Sequence, residues 1–173
     1  MFKRKILTTL VATAAVAASG YAVNALAAFD TGASDAVILV PLSIAHNGGA
    51  SLDFGTIAPD VGGATVQVTT AGAASVTAGA AVLTGATSAD AFTVTGEGGM
   101  SYTISLPATI TLTSGGNNMT VNNVVSNPAT PATLPAGPGS VTQTLNVGGD
   151  LVVGASQAPG TYAGTYTVTV NYQ

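Results

Sequence analysis

The stretch TYAGTYTVTVNYQ, residues 161–173, decides the fold class of this chain. Aromatic, apolar and glycine residues share one parity of the stretch, and threonine, alanine and asparagine share the other. The first set consists of Tyr162, Gly164, Tyr166, Val168, Val170 and Tyr172. Strict alternation with a period of two predicts a β-strand that has one buried face and one exposed face.

Upstream of this stretch the chain is rich in Val, Thr, Ala, Gly and Asn, which is typical of strands and turns. Residues 92–95 and 100–106 flank the glycine-rich segment 96–99, and this arrangement predicts a β-hairpin. Further candidate strands are 36–44, 51–57, 64–70, 79–84, 109–113, 118–126, 140–147 and 150–153, separated by predicted glycine turns at 47–49, 62–63, 115–116 and 148–149. The sequence therefore predicts an all-β, antiparallel, Ig-like or pilin-like β-sandwich.

The segment 127–139, NPATPATLPAGPG, interrupts the run of strands with four prolines. Proline has no backbone N–H to donate within a sheet, so we expect an exposed loop here. The chain has no sequence repeat, and residues 28–173 are predicted to form a single domain.

Residues 1–27 have the three parts of a secretory signal peptide. Lys3, Arg4 and Lys5 precede an apolar stretch, and Ala25-Leu26-Ala27 provides a small-residue cleavage site. We predict cleavage after Ala27, with Ala28 as the alternative position, and a flexible mature N-terminal segment over 28–35. The mature protein is expected in the periplasm, at the cell surface or outside the cell, without an integral membrane segment.

Only 6% of the residues are charged, and the three cations all lie in the predicted leader. Without Lys or Arg, the mature chain is a poor partner for nucleic acid, because phosphate binding depends on cations. The acidic residues stand singly, mostly beside turn-forming residues, and His46 precedes a glycine turn, which predicts an exposed loop histidine. With no cysteine either, the sequence predicts no enzyme, no metal site and no cofactor.

A series of short motifs along the chain resembles a secreted bacterial domain-of-unknown-function family, number 4402. The motifs are LDFGTI (52–57), AFTVTG (91–96), YTI (102–104), MTV (119–121), VGGDL (147–151) and GTYAGTY (160–166). The resemblance implies an exported, pilin-like β-sandwich, similar at its end to the spore coat protein U type of secreted domain.

The end of the chain also resembles the final strand of chaperone–usher pilins. Tyr172 is penultimate, Gly160 is fourteenth from the end, and the residues between them alternate. This resemblance implies an assembly strand formed by Gly160, Tyr162, Tyr166, Val168, Val170 and Tyr172. In those pilins the strand borders a groove, which a chaperone and then a neighbour's N-terminal extension fill. The chain departs from the pilin pattern because it has no disulfide and because residues 28–35 are polar.

An apolar segment near the mature N-terminus contains Val37, Leu39, Val40, Leu42 and Ile44. It is predicted to be either a strand donated to another subunit or the first strand of its own domain. We therefore expect a secreted structural subunit, fimbrial or otherwise at the cell surface, with like subunits and a periplasmic chaperone as partners. The alternative is a monomeric secreted module that binds a glycan or another surface through exposed Thr, Asn and Tyr.

Overall fold

The structure, a computed structural model, describes residues 30–173, so the predicted leader lies outside the described residues. The described part contains ten strands and no helix, and it confirms the all-β fold built from antiparallel sheets. The strands are β1 (Ser43–His46), β2 (Thr56–Val68), β3 (Ala74–Thr84), β4 (Asp90–Glu97), β5 (Ser101–Ser105), β6 (Ile110–Ser114), β7 (Asn117–Asn127), β8 (Ala132–Thr133), β9 (Ser140–Val153) and β10 (Thr169–Tyr172). The described residues accordingly include no helical segment that could span a bilayer.

The chain divides into two units between Ala36 and Val37. Residues 30–36 are the described part of the first unit; they are exposed and have no regular secondary structure. Val37–Gln173 form the second unit, which contains all ten strands.

The strands form a seven-stranded sheet and a three-stranded sheet. In the larger sheet, β9 pairs along one edge first with β4 and then with β2, and along its other edge with β7. The strands β1, β3 and β6 extend this sheet beyond β4, β2 and β7 respectively. The smaller sheet has the order β10-β5-β8.

Two clusters of buried side chains form the hydrophobic core, and β9 contributes to both. The first cluster lies between the two sheets, where Val94 and Leu145 of the larger sheet meet Tyr102 of the smaller one. The second consists of Phe54 and side chains of the larger sheet only, namely Val66, Val68, Ile110, Val121, Leu151 and Val153. The second cluster therefore has no strand of the smaller sheet among its buried members.

Gly148 and Gly149 lie inside β9, so the predicted turn at this pair is wrong. A Cβ on Gly148 would come within 2.5 Å of the Val68 carbonyl oxygen, and one on Gly149 within 2.7 Å of the Val121 side chain. The two glycines thus allow close approach of neighbouring chain segments. Gly62 and Gly63 were also predicted as a turn, but they lie within an irregular part of β2.

The predicted hairpin of β4 and β5 does not form, although both strands and the turn between them are present. Each strand pairs in a different sheet, β4 with β1 and β9, and β5 with β10 and β8. Backbone groups of the turn bond instead to the segment after β8, since Gly98 N–H donates to Gly139 O at 3.0 Å and Gly99 N–H to Pro135 O at 3.1 Å. The turn is consequently a corner that passes from one sheet to the other.

The proline-rich segment 127–139 is not simply an exposed loop, as the sequence had predicted. Ala132 and Thr133 form β8 at the edge of the smaller sheet, and Ala132 and Leu134 are buried in the first core cluster. The prolines themselves lie outside this two-residue strand, which agrees with the rule that proline is tolerated at sheet edges.

We expect Gly148→Ala to lower the free energy of unfolding by about 2 kcal/mol, because the added methyl group overpacks a site bounded by backbone. Gly48→Ala is the matched control, since a Cβ there would meet nothing within 4 Å. Urea unfolding followed by circular dichroism measures both changes. An equal effect of the two substitutions would contradict the role assigned to Gly148.

Candidate functional site

The C-terminal segment, residues 160–173, runs along two strands that belong to different sheets. Near its start, Thr113 of β6 and Ala163 form an isolated bridge, with N–H to O distances of 2.9 and 3.1 Å. At its end, β10 pairs with β5 over Thr169–Tyr172. Regular pairing is therefore shorter than the strand predicted over 161–173, because residues 164–168 cross between the two partners without a ladder.

The alternation read from the sequence is visible in the burial of this segment. Tyr162, Tyr166, Val168, Val170 and Tyr172 are half-buried, and the residues between Tyr166 and Tyr172 on the other parity are exposed. Four of these side chains, all except Tyr162, pack against the first core cluster. The inward face of the segment thus covers the core without being fully enclosed.

Two glycines let the segment lie directly on β6. A Cβ on Gly164 would overlap the Thr111 carbonyl oxygen, and one on Gly160 would press on the Ser114 side chain. Tyr162 holds the preceding loop, because its hydroxyl donates to Ala158 O at 2.7 Å. The predicted residues Gly160 and Tyr162 consequently position the segment beside β6 rather than in a regular strand.

A groove of about 840 Å³ opens between residues 51–59 and residues 157–164. We call it the long groove. Its apolar lining belongs to the second core cluster and to the side chains packed around it: Leu52, Phe54, Ile57, Leu112, Met119, Leu151 and Val153. The long groove therefore gives access to apolar side chains that no strand of the smaller sheet covers.

A smaller cavity of about 340 Å³ adjoins the long groove and shares Leu52, Phe54 and Leu112 with it. Its polar lining includes His46, Asp90 and Tyr166. Asp90 is 5% exposed, and among the described residues it is the one charged residue that is buried. Its carboxylate accepts a hydrogen bond from the Tyr166 hydroxyl at 2.7 Å, and its other oxygen lies 2.7 Å from His46 Nε2.

The Asp90 cluster, defined as His46, Asp90 and Tyr166, joins three elements: β1, β4 and the C-terminal segment. Phe92 fills the space between its rings, with centroids 5.0 Å from His46 and 6.2 Å from Tyr166. Burial, the hydrogen bond to Asp90 and the negative charge of Asp90 all raise the pKa of the Tyr166 hydroxyl. The Tyr166 hydroxyl therefore keeps its proton in the folded state, and its hydrogen bond to Asp90 holds the C-terminal segment against the larger sheet.

Sequence reasoning missed this cluster. His46 is exposed, as predicted, but it ends β1 instead of lying in a loop, and Asp90 begins β4 although the acids were predicted mostly beside turn-forming residues. The described residues contain no group of three His, Cys, Asp or Glu side chains that could hold a metal ion.

A profile of the family described as "Domain of unknown function (DUF4402)" matches residues 42–172. The chain belongs to this family. No curated protein and no solved structure matches the chain significantly. The DUF4402 match covers every strand of the described fold and begins just after the apolar residues Val37–Val40.

The apolar N-terminal segment divides at Val40 in this DUF4402 protein. Leu42 and Ile44 pack against the first core cluster, and Ile44 lies in β1, which pairs with β4. Val37 and Leu39 are exposed. The structure thus makes the second half the domain's own first strand and leaves the first half unpaired.

A tyrosine clamp, formed by Tyr172, Glu97 and Val40, fixes the point of division. The Tyr172 hydroxyl accepts from Glu97 N–H at 2.6 Å and donates to Val40 O at 2.9 Å. Val40 N–H donates to a Glu97 carboxylate oxygen at 3.1 Å. The penultimate tyrosine therefore holds the beginning of the domain against its end.

We expect Tyr166→Phe to reduce the loss of stability at alkaline pH. Because the folded state raises the pKa of Tyr166 above its ordinary value near 10.0, the unfolded chain loses this proton first and the free energy of unfolding falls as pH rises above about 10. The variant lacks this contribution and retains that of Tyr102, whose pKa burial also raises. Urea unfolding at pH 8, 10 and 11 measures the difference, and parallel losses in both proteins would contradict it.

Proposed function

We propose that this protein is a secreted structural subunit, fimbrial or otherwise located at the cell surface, which assembles through β-strand pairing between copies. Its working parts are backbone groups and apolar strand faces, and it carries out no reaction. The pilin-like character comes from the resemblance of its C-terminal segment to chaperone–usher pilins and is part of this proposal.

The observation that carries the proposal is the exposure of three consecutive apolar residues. Val37, Ile38 and Leu39 are 87%, 94% and 41% exposed. Residues of this type favour strands, and their exposure to water is unfavourable, so a stable protein keeps such a run covered or uses it as an interface. Because the tyrosine clamp holds Val40, the run leaves the domain at a defined point.

The long groove supplies a matching acceptor. Part of its lining is apolar, and β6, which borders it through Leu112, has a bridge to Ala163 as its only pairing on the side away from β7 within the described residues. An extended Val37–Val40 segment from a second copy would place alternate side chains on the second core cluster. Addition of a peptide strand beside an incompletely paired strand is an established mode of recognition.

The charge distribution supports association of identical subunits. No Lys or Arg follows Lys5, and the seven acidic residues stand singly in the sequence, so the charge density is low and repulsion between copies is weak. Lysine is also the residue with which proteins most often protect exposed strand edges. A periplasmic chaperone that covers the long groove before assembly completes the proposed route.

The alternative, a monomeric binding module, is favoured by one feature of the larger sheet. Thr93 and Thr95 of β4 stand directly opposite Thr144 and Thr142 of β9, on the face away from the core. Hydroxyl groups in such an array suit a polar surface such as a glycan. The array carries no aromatic side chain for stacking on a sugar ring, so we place assembly first.

Replacing both Val37 and Leu39 with Asp is expected to abolish assembly. Burial of two aliphatic side chains contributes roughly 3 kcal/mol, so the change weakens association by about a hundredfold or more. The protein is expressed with its own leader, purified from the periplasm, and compared by size-exclusion chromatography and negative-stain microscopy. We expect fibres or linear oligomers from the unmodified chain and monomers from the variant.

Ala33→Asp with Ser34→Asp is the matched control, because it adds the same charge to exposed residues that precede the apolar run. The control is expected to assemble like the unmodified chain. Circular dichroism establishes that all three proteins are folded. An unmodified chain that stays monodisperse at every concentration, or a control that also fails to assemble, would overturn the proposal.

A further inference from the structure

A second surface of the molecule has the properties of an interface, and it lies apart from the long groove. β3, Ala74–Thr84, forms one end of the larger sheet and pairs only with β2 within the described residues. Its other edge therefore presents backbone N–H and C=O groups along an eleven-residue strand. An edge of this length is a ready template for another strand.

The β3 edge lacks two features that normally prevent such pairing. No charged residue lies between Asp60 and Asp90, and β3 contains no proline. The β2–β3 pairing shifts register twice, between Thr65 and Val66 and again between Pro59 and Ala64, opposite Ala80, so it is regular over Ala81–Thr84. Charged side chains and proline are the usual protection of an exposed strand edge, and Ala81–Thr84 has neither.

An exposed apolar side chain lies in the regular part of the edge. Val82 is 64% exposed and stands opposite Ala58 of β2. Val61, in the irregular part of β2, is 86% exposed. The Val82 side chain would therefore be covered if a second strand paired beside β3.

We propose that the β3 edge pairs with the β3 edge of a second copy, antiparallel and about a twofold axis that passes beside Val82. In this register Val82 faces Val82 on the axis, and the contacts of Ala81 with Leu83 and of Ala80 with Thr84 are each made twice. The strand is suited to meeting itself because it has no charge that would be brought close to its own copy. A twofold contact closes on itself and yields a dimer, whereas the contact through Val37–Val40 is head-to-tail and propagates.

This inference rests on the proposed function only in taking other copies of the chain as partners; it does not require fibres. The two proposed interfaces, one through the long groove and one through the β3 edge, can therefore be tested independently. Residues 37–40 take no part in the β3 contact. Substitutions at Val37 and Leu39 therefore leave the β3 dimer intact.

The chain has no cysteine, so a single introduced thiol reports the register without background. Directly opposed residues of antiparallel strands have Cα atoms about 4.5–5.5 Å apart, which is within the range that a disulfide spans. We expect Val82→Cys, combined with Val37→Asp and Leu39→Asp to prevent fibres, to form a disulfide-linked dimer on mild oxidation. Non-reducing electrophoresis measures the dimer fraction.

Ser75→Cys in the same background is the matched control, because Ser75 is also exposed on β3 but lies roughly 45 Å from its twofold mate in this register. It is expected to stay monomeric. A Val82→Cys protein that remains a monomer, or equal cross-linking at both positions, overturns the inference.

A charge-reversal experiment tests the same contact without oxidation. Val82→Lys and Val82→Glu each bring like charges together and are expected to be monomeric alone, whereas their mixture is expected to form a heterodimer in size-exclusion chromatography. Failure of the mixture to pair overturns the inference. If the unmodified chain forms fibres but position 82 does not cross-link, the β3 contact is refuted and the proposed function stands. If position 82 cross-links but the unmodified chain forms no fibres, the proposed function is refuted and the β3 contact stands.

Discussion

The fold depends on one strand that is shared by two cores. β9 places Leu145 in the cluster between the sheets and Leu151 in the cluster below the long groove. This sharing requires β9 to exchange β4 for β2 along a single edge while β7 continues along the other. Gly148 and Gly149 stand where the exchange occurs, because a side chain there would collide with the neighbouring segments. The two glycines therefore let β9 run through both core clusters without a break.

Much of the fold could be predicted because strand periodicity is a local property. The half-buried positions of Tyr166, Val168 and Val170 follow from spacing alone. Pairing is a nonlocal property, and this explains why the hairpin between β4 and β5 was predicted in error. A glycine pair that allows a tight turn and one that allows another backbone to approach are indistinguishable in sequence, since both need only the missing Cβ. The opposing segment decides between them.

The Asp90 cluster was hidden for the same reason. His46 and Tyr166 stand 44 and 76 residues from Asp90 along the chain, and each belongs to a different element. Composition nevertheless contained a signal: because no Lys or Arg follows Lys5, a buried carboxylate has only histidine, hydroxyl, side-chain amide and backbone N–H groups as partners. Searching for the single histidine and an acid at the start of an apolar strand would have led to this pair.

The tyrosine clamp also has a mechanical consequence. A force that pulls on Val37 along the chain is met first at Val40, where hydrogen bonds with Tyr172 and Glu97 resist it. Tyr172 lies in the smaller sheet and Glu97 in the larger one, so the load passes into both sheets before it reaches β1. The two ends of the domain thus form one load-bearing joint, and the chain resists extension there through parallel contacts instead of unzipping one strand at a time.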